Sequence, residues 1–211
     1  MRNTANNTNE IYFRYGKRIF DALFALITII LLLPLFFIVS ILVKFDSEGS
    51  IFFTQERVGK NKKVFRLYKF RTMSTHSTED APLVTSLNDM RITRLGHHLR
   101  RYKIDELPQL YNVLRGEMSI VGPRPEVQKY VSLFNDDYDT ILQITPGLTD
   151  NAALKYRNEE DILSVYEDIE DAYIKIILPD KINLYKQYIN DINFITDLRI
   201  IIKTIFGEMK N

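Results

Sequence analysis

The feature that most constrains this chain is an uncharged run of 22 residues, ALFALITIILLLPLFFIVSILV, from Ala22 to Val43. As a straight helix it would extend roughly 33 Å, about the thickness of a bilayer's hydrocarbon core, so the segment is expected to meet a membrane. It is too long for the apolar region of a signal peptide and no A-x-A-like cleavage site follows it, so it is expected to stay in the mature protein. Pro34 lies near its middle, where it removes a helical hydrogen bond and crowds the preceding turn. Arg14, Lys17 and Arg18 precede the run, and Lys44, Lys60, Lys62 and Lys63 follow it; basic flanks on both sides favour placing both ends in the cytoplasm. A re-entrant helix-break-helix with its break at Pro34 satisfies both observations. A kinked single span is the alternative.

The sequence divides into residues 1–46, a lead-in and membrane helix, and residues 47–211, a cytoplasmic domain with interfacial amphipathic helices. At 211 residues the chain can bury a core of its own. That domain is expected to be mostly α with one short β-hairpin. SIFFTQERVGKNKKVFRLYKFRTM reads as two strands around Gly59-Lys60-Asn61, the one convincing β signal. Residues 74–88 read as a loop. Helices are expected over 96–103, over 108–115 with a stop at Gly116, over 127–144, over about 161–177, over 180–190 and over 194–206. In the last, Ile195, Leu198, Ile201, Ile202, Ile205 and Phe206 share a broad face that could lie on a bilayer or pack in a core.

Net charge is +1, but Arg57 to Arg71 holds seven Lys/Arg and no acid, whereas Glu159 to Asp171 holds seven acids and no base. The basic half is where an anionic ligand would bind. Asp105 and Glu106 come just before Pro108, a residue tolerated in the first helical turn, so the pair falls at a helix N-terminus, where ionised carboxylates are favoured. A simple cap would explain an isolated Asp-Glu pair. It does not explain Arg100, Arg101 and Lys103 just before the pair, nor Pro123-Arg124-Pro125 after it. Fixed cations beside carboxylates create a place for phosphate, and prolines on both sides restrain Arg124 for gripping an oxyanion. A stiff surface turn is the plain alternative. Lys69 and Arg71 alternate with Tyr68 and Phe70 and so could share one strand face, or simply meet solvent.

The chain has no cysteine, which excludes disulfides, thiol nucleophiles and Cys-ligated zinc. None of its glycines forms a dinucleotide or P-loop motif, and His76, His97 and His98 form no H-E-x-x-H pattern. A hard cation, Mg²⁺, held through a carboxylate and phosphate oxygens fits better than zinc. Near-neutral charge and the membrane segment argue against a nucleic-acid partner.

KRIFD before a proline-interrupted apolar run, FTQERVG, YKFRTM, LRRYKIDELPQLYNVLRGEMSIVGPRP and PGLTD together resemble the bacterial sugar transferase family, the monotopic phosphoglycosyl transferases. The resemblance runs unbroken from Lys17 to Asp150. It implies transfer of a sugar-1-phosphate from a UDP-sugar to polyprenyl (undecaprenyl) phosphate with release of UMP, at the cytoplasmic face of a bacterial inner membrane, to begin a lipid-linked surface glycan. Residues 47–211 then form the catalytic domain, with a homodimer as a possible assembly. The resemblance further implies that Asp105 is the nucleophile forming a covalent phospho-sugar and a metal ligand, and that Glu106 is the acid assisting it. Arg100 and Arg124 are implied as phosphate-binding cations, Lys69 as a lysine of the substrate-binding strand, Arg71 beside it, and Pro34 as the membrane break. Leu33 stands where a serine often precedes that proline, and DNAALKYRNEEDIL stands where many members carry a Gly-Trp-Ala-Gln type stretch. A membrane-bound Mg²⁺-dependent phosphohydrolase and a non-catalytic membrane scaffold are the rival readings. The sugar is not readable from the sequence.

Overall fold

The computed structural model describes Tyr12, residues 16–74, Val84 and residues 89–207; the expected loop over 74–88 falls almost wholly outside them. Helix α1, Lys17–Asp46, is long and apolar enough to cross a membrane. It continues helically through Pro34, so the proline is accommodated inside one element rather than dividing two. One side of its middle is bare, Leu31 being 72% and Phe37 68% exposed, a surface suited to lipid rather than water, while Ile29, Leu35 and Phe36 are half-buried against the domain.

Only the two ends of α1 are buried, through Lys17, Asp21 and Ala25 at one end and Val39 and Val43 at the other. At the first end, Lys17 Nζ donates to Asp197 (2.5 Å), which also accepts from the hydroxyls of Tyr12 and Tyr188. Asp21 accepts from Ser119 Oγ (2.6 Å) and from the Ile120 amide (3.1 Å), while Arg18 donates to the carbonyls of Val113 and Leu114. At the second end, Val39 and Val43 pack with Phe70 and Leu99. Both ends of α1 are thus tethered to the same domain.

Strands β1 (Phe52–Val58) and β2 (Val64–Phe70) form the expected antiparallel hairpin, with Phe52 opposite Phe70 and Val58 opposite Val64. Its turn places Asn61 and Lys62 at positive φ, of which asparagine is the more tolerant. Helix α2 (Arg94–Arg101) is capped by Thr93, which accepts from the Gly96 amide, and α3 (Gln109–Arg115) stops at left-handed Gly116, φ 78°, as expected.

Beyond α3 the chain departs from expectation. Ser119–Val121 (β3) and Gly147–Thr149 (β4) form a two-stranded parallel sheet that no periodicity announces, each strand being three residues long. A Cβ on Gly147 would stand 2.1 Å from the Gly122 nitrogen, so the crossing of these segments requires glycine. The crossing seats Pro123-Arg124-Pro125 against Pro146-Gly147. The helix expected over 127–144 is two, α4 (Gln128–Leu133) and α5 (Asn135–Ile141), because Asp136 and Asp137 open a new first turn. After α6 (Asn151–Lys155), the helix expected over 161–177 is likewise divided into α7 (Glu159–Leu163), α8 (Ile169–Ala172) and a π turn over Tyr173–Ile177. Asp168 starts α8 by accepting from the Asp171 amide.

Helix α9 (Leu178–Asn190) and α10 (Phe194–Phe206) complete the fold. The α4–α9 region shares a core built on Tyr130, Tyr138, Leu163, Tyr173, Leu178 and Tyr185. A second core joins Ala25 of α1 to Leu110, Val113, Met118, Ile120 and Ile200. In α10, Asp197, Ile200 and Ile201 turn inward, while Ile195, Leu198, Ile202, Ile205 and Phe206 remain exposed. The apolar face anticipated there is thus mostly outside the core.

Candidate active site

The chain reverses after α2 through Lys103, a lysine in the left-handed region at φ 56°. Such strain is expected to persist only where surrounding structure fixes it, here by the Lys103 amide donating to the Arg100 carbonyl and the Glu106 amide donating to the Lys103 carbonyl. From there a 3₁₀ turn, Ile104–Glu106, runs through helical Leu107 and Pro108 into α3, so residues 104–115 form one helical path. Asp105 and Glu106 lie at its start, as the proline spacing predicts.

The two carboxylates have different surroundings. Glu106 accepts from Lys69 Nζ at 2.9 Å and from Arg124 through both terminal nitrogens, at 2.5 and 3.2 Å. Burial pushes its carboxyl up, but Arg124 and Lys69 outweigh burial and hold it well below the ordinary glutamate value. Asp105 is 5% exposed and its Oδ1 has no hydrogen-bond partner. Burial pushes its carboxyl up; Lys69 opposes this and Glu106 adds to it. One carboxylate is fixed and ion-paired, and its neighbour is left open for chemistry.

Lys69 and Arg124 therefore meet at Glu106, although they come from strand β2 and the loop after β3. The Arg124 amide also donates to Asp150 Oδ2 (3.1 Å), while Asp150 Oδ1 accepts from the Ala153 amide and caps α6. Asp150 lies inside the PGLTD motif, but no role could be read for it from sequence, because its partner is brought in by the unanticipated β3–β4 crossing. Burial raises its carboxyl to about 6.

Arg100 reaches the edge of this cluster. Its Nε donates to Thr72 Oγ1 (2.9 Å) and its Nη1 to Glu160 (2.8 Å), and its charge helps counter the burial of Asp105. Glu160 belongs to the acidic stretch, which thus reaches α2; its neighbour Glu159 pairs with buried Lys181. Sequence alone offered no signal for that long-range pairing.

Arg71 is not brought to the dyad. Strand β2 ends at Phe70, so the two-residue alternation no longer aligns position 71 with Lys69. Its guanidinium is instead spent on the end of α1, donating to Ser47 Oγ and to the carbonyls of Val43, Ser47 and Ser50. Unpaired carbonyls at a helix C-terminus attract a cation strongly. Pro34 lies in α1, away from the carboxylates in sequence, but the helix on either side of it borders an apolar cavity.

That cavity, about 330 Å³, is walled by Ile29 and Phe36 of α1, Phe52 and Tyr68 of the hairpin, and Pro108 and Tyr111 at the start of α3. This apolar space lies between helix α1, the hairpin and the start of α3, and neither Asp105 nor Glu106 lines it. A second cleft of about 380 Å³, lined by Asn151, Gln187, Asp191 and Arg199 among others, touches none of these residues. Among the described residues no group of three His, Asp or Glu side chains could hold a metal. Among the buried carboxylates of the described residues only Asp105 has an oxygen without a hydrogen-bond partner, which suits a Mg²⁺ ion bound largely by substrate phosphates and water.

A helix long and apolar enough to cross a membrane is thus docked on a domain in which a buried carboxylate, Asp105, stands beside Glu106 with its partners Lys69 and Arg124. The chain belongs to the bacterial sugar transferase family, whose model matches residues 12–211. It is 36% identical over 196 residues to the UDP-N-acetylgalactosamine-undecaprenyl-phosphate N-acetylgalactosaminephosphotransferase of Aeromonas hydrophila, covering 92% of this chain and 43% of that one. It is 35% identical to the exopolysaccharide production protein ExoY of Sinorhizobium fredii, covering 90% and 84%, and 35% identical to the undecaprenyl-phosphate glucose phosphotransferase of Komagataeibacter xylinus, covering 92% and 36%. This chain thus spans less than half the length of the first and third of these relatives.

Proposed function

We propose that the protein is a phosphoglycosyl transferase that moves a sugar-1-phosphate from a UDP-sugar to undecaprenyl phosphate through a covalent aspartyl phospho-sugar, releasing UMP and starting a lipid-linked surface glycan. The observation that carries this reading is the asymmetry of the dyad, with Glu106 locked to Lys69 and Arg124 while Asp105 is left unpaired at Oδ1. A lone pair of the Asp105 carboxylate attacks the sugar-bearing phosphorus, and the bond from that phosphorus to the UMP oxygen breaks. An oxygen of the acceptor phosphate then attacks the same phosphorus, and Asp105 departs as a carboxylate.

Glu106 is the fixed anion that aims Arg124 and Lys69 at the phosphates, rather than a proton carrier, since those cations hold it ionised. Arg100 meets the phosphates from the α2 side. Asp105 and the phosphates would hold Mg²⁺, which would supply neutralisation of charge on the nucleotide. The apolar cavity walled by Ile29, Phe36, Phe52, Tyr68, Pro108 and Tyr111 suits the first isoprenoid units of the acceptor, because its lining is apolar and aromatic and includes the apolar helix α1. The test is UMP release from a panel of UDP-sugars. Continuous turnover should require added undecaprenyl phosphate; sustained UMP or sugar-phosphate release without it would favour the phosphohydrolase reading.

The same reading places the domain on the cytoplasmic face of the inner membrane. Helix α1 enters and leaves on that face, and the exposed apolar side of α10 lies on the bilayer. Support comes from the tethering of both ends of α1 to one domain, by Lys17 to Asp197 and by Arg71 to Ser47. Single cysteines replacing Asn7 and Asn61 are therefore expected to be shielded from an impermeant thiol reagent added to intact cells. Labelling at Asn7 alone would establish a spanning helix.

A further inference from the structure

Arg57, in the stretch FTQERVG, makes no bond to the dyad, yet it holds the two residues that follow Arg124. Its Nη1 donates to the Pro125 carbonyl (3.1 Å) and to Glu126 Oε2 (3.3 Å), and its Nη2 donates to Gln55 Oε1 (2.7 Å). Glu126, 5% exposed, also accepts from the Tyr173 hydroxyl at Oε1 (2.7 Å), and its carbonyl accepts from the Val58 amide (2.9 Å). Desolvation offsets much of the attraction within a buried ion pair, so stability alone is a poor reason to place one here.

These bonds close a clamp around Arg124. On the β4 side, the Pro123 carbonyl accepts from the Gly147 amide (2.8 Å) and the Arg124 amide donates to Asp150. On the hairpin side, Arg57 and Val58 hold residues 125 and 126. Arg57 lies opposite Phe65 of β2, the strand that carries Lys69. The hairpin therefore grips the Arg124 segment through Arg57 and reaches Glu106, the partner of Arg124, through Lys69. Burial pushes the Arg57 guanidinium below its ordinary value, Glu126 opposes this, and the charge of Arg124 adds to it.

We propose that Arg57 is a positioning residue for the reaction: by holding the Pro125 carbonyl and Glu126 against the hairpin, it sets the direction from which the Arg124 guanidinium meets Lys69, Glu106 and the donor phosphates. The inference rests on the phosphate-binding role proposed above for Arg124. Arg57 touches no reacting atom, so its whole effect passes through Arg124.

A double-mutant cycle separates this aiming from simple structural support. Arg57→Lys keeps a charge for Glu126, but one ammonium cannot hold Gln55, Pro125 and Glu126 together. In otherwise wild-type protein kcat/KM for the UDP-sugar should fall about tenfold, the loss expected for about one hydrogen bond. In an Arg124→Lys background the same change should cost less than about twofold, because no guanidinium is left to aim. Gln55→Met frees Arg57 Nη2 alone and should show the same dependence on Arg124 with a loss of about threefold, so it decides the matter even if Arg57→Lys fails to fold. Tyr173→Phe removes a buried hydrogen bond from Glu126 and should lower the thermal midpoint, yet kcat/KM should stay within about twofold of wild type, since the hold of Arg57 on Pro125 is intact. Equal losses in both Arg124 backgrounds would overturn the proposal, as would a Tyr173→Phe variant slowed as much as Arg57→Lys, because activity would then follow stability. Wild-type turnover by Arg124→Lys alone would overturn the phosphate-binding role of Arg124, and this inference with it.

Discussion

Asp105→Asn is expected to abolish both covalent capture and turnover, with a fall on the order of a thousandfold or more, because an amide oxygen is a far poorer nucleophile than a carboxylate. Wild-type protein given UDP-sugar and Mg²⁺ without lipid phosphate should release UMP in an amount no greater than the enzyme present and should gain one phospho-sugar in intact mass. The variant should do neither. Loss of folding is not the expected cause. Burial already pushes the Asp105 carboxyl above its ordinary value, so replacing the charge with a neutral side chain of the same shape removes a desolvation cost. Its thermal midpoint should therefore match or exceed wild type. Glu106→Gln should be badly slowed for a different reason, since it releases Arg124 and Lys69 from their shared anchor, yet it should still trap some adduct. Continued glycolipid synthesis by Asp105→Asn would mean that the lipid phosphate attacks the nucleotide sugar directly and that Asp105 is a cap or a metal ligand.

Much of this site was legible because it depends on local rules. Pro108 confines Asp105 and Glu106 to a helix start, Gly116 ends that helix, and the alternation in YKF puts Lys69 on the face opposite its neighbours. The apolar run from Ala22 to Val43 and the Phe194–Phe206 helix are likewise carried by composition and period. Failures occurred where tertiary pairing decides. Strands of three residues carry too little period to detect, so the β3–β4 crossing was missed, and with it the bond from Arg124 to Asp150. Arg71 was read as a partner of Lys69 although its position is one past the strand; four acceptors at the end of α1 claim it. The acidic stretch was read as one helix, whereas Glu160 must leave helical register with α8 to meet Arg100. Charge pattern located both halves of that pair without showing that they meet.

In the proposed reaction the ion pairs around Glu106 give the second carboxylate a purpose beside the nucleophile. Before substrate arrives, Arg124 and Lys69 would face each other across a partly buried space, and like charges held there are costly. Glu106 neutralises them and sets their direction. Phosphate oxygens can then share these cations without a large movement of the protein, which is the advantage of a preorganised site.

Arg124→Lys tests whether that preorganisation depends on shape as well as charge. Pro123 and Pro125 restrict the backbone on both sides, and the residue's own amide is held by Asp150, so the guanidinium leaves from a fixed point. It then presents two nitrogens to Glu106 in a fork. A lysine at this position keeps the positive charge but offers a single ammonium on a flexible stem, and cannot address Glu106 and a phosphate in one plane. The expected loss is about 2 kcal/mol of transition-state stabilisation, or roughly 30-fold in kcat/KM. Folding should be little changed, because the backbone bond from residue 124 to Asp150 does not involve the side chain. Adduct formation measured without lipid should slow in parallel, since the phosphate of the donor is already present in the first displacement. Turnover near the wild-type rate in Arg124→Lys would instead reduce Pro123-Arg124-Pro125 to a structural turn, and Lys69 and Arg100 would then have to account for phosphate recognition on their own.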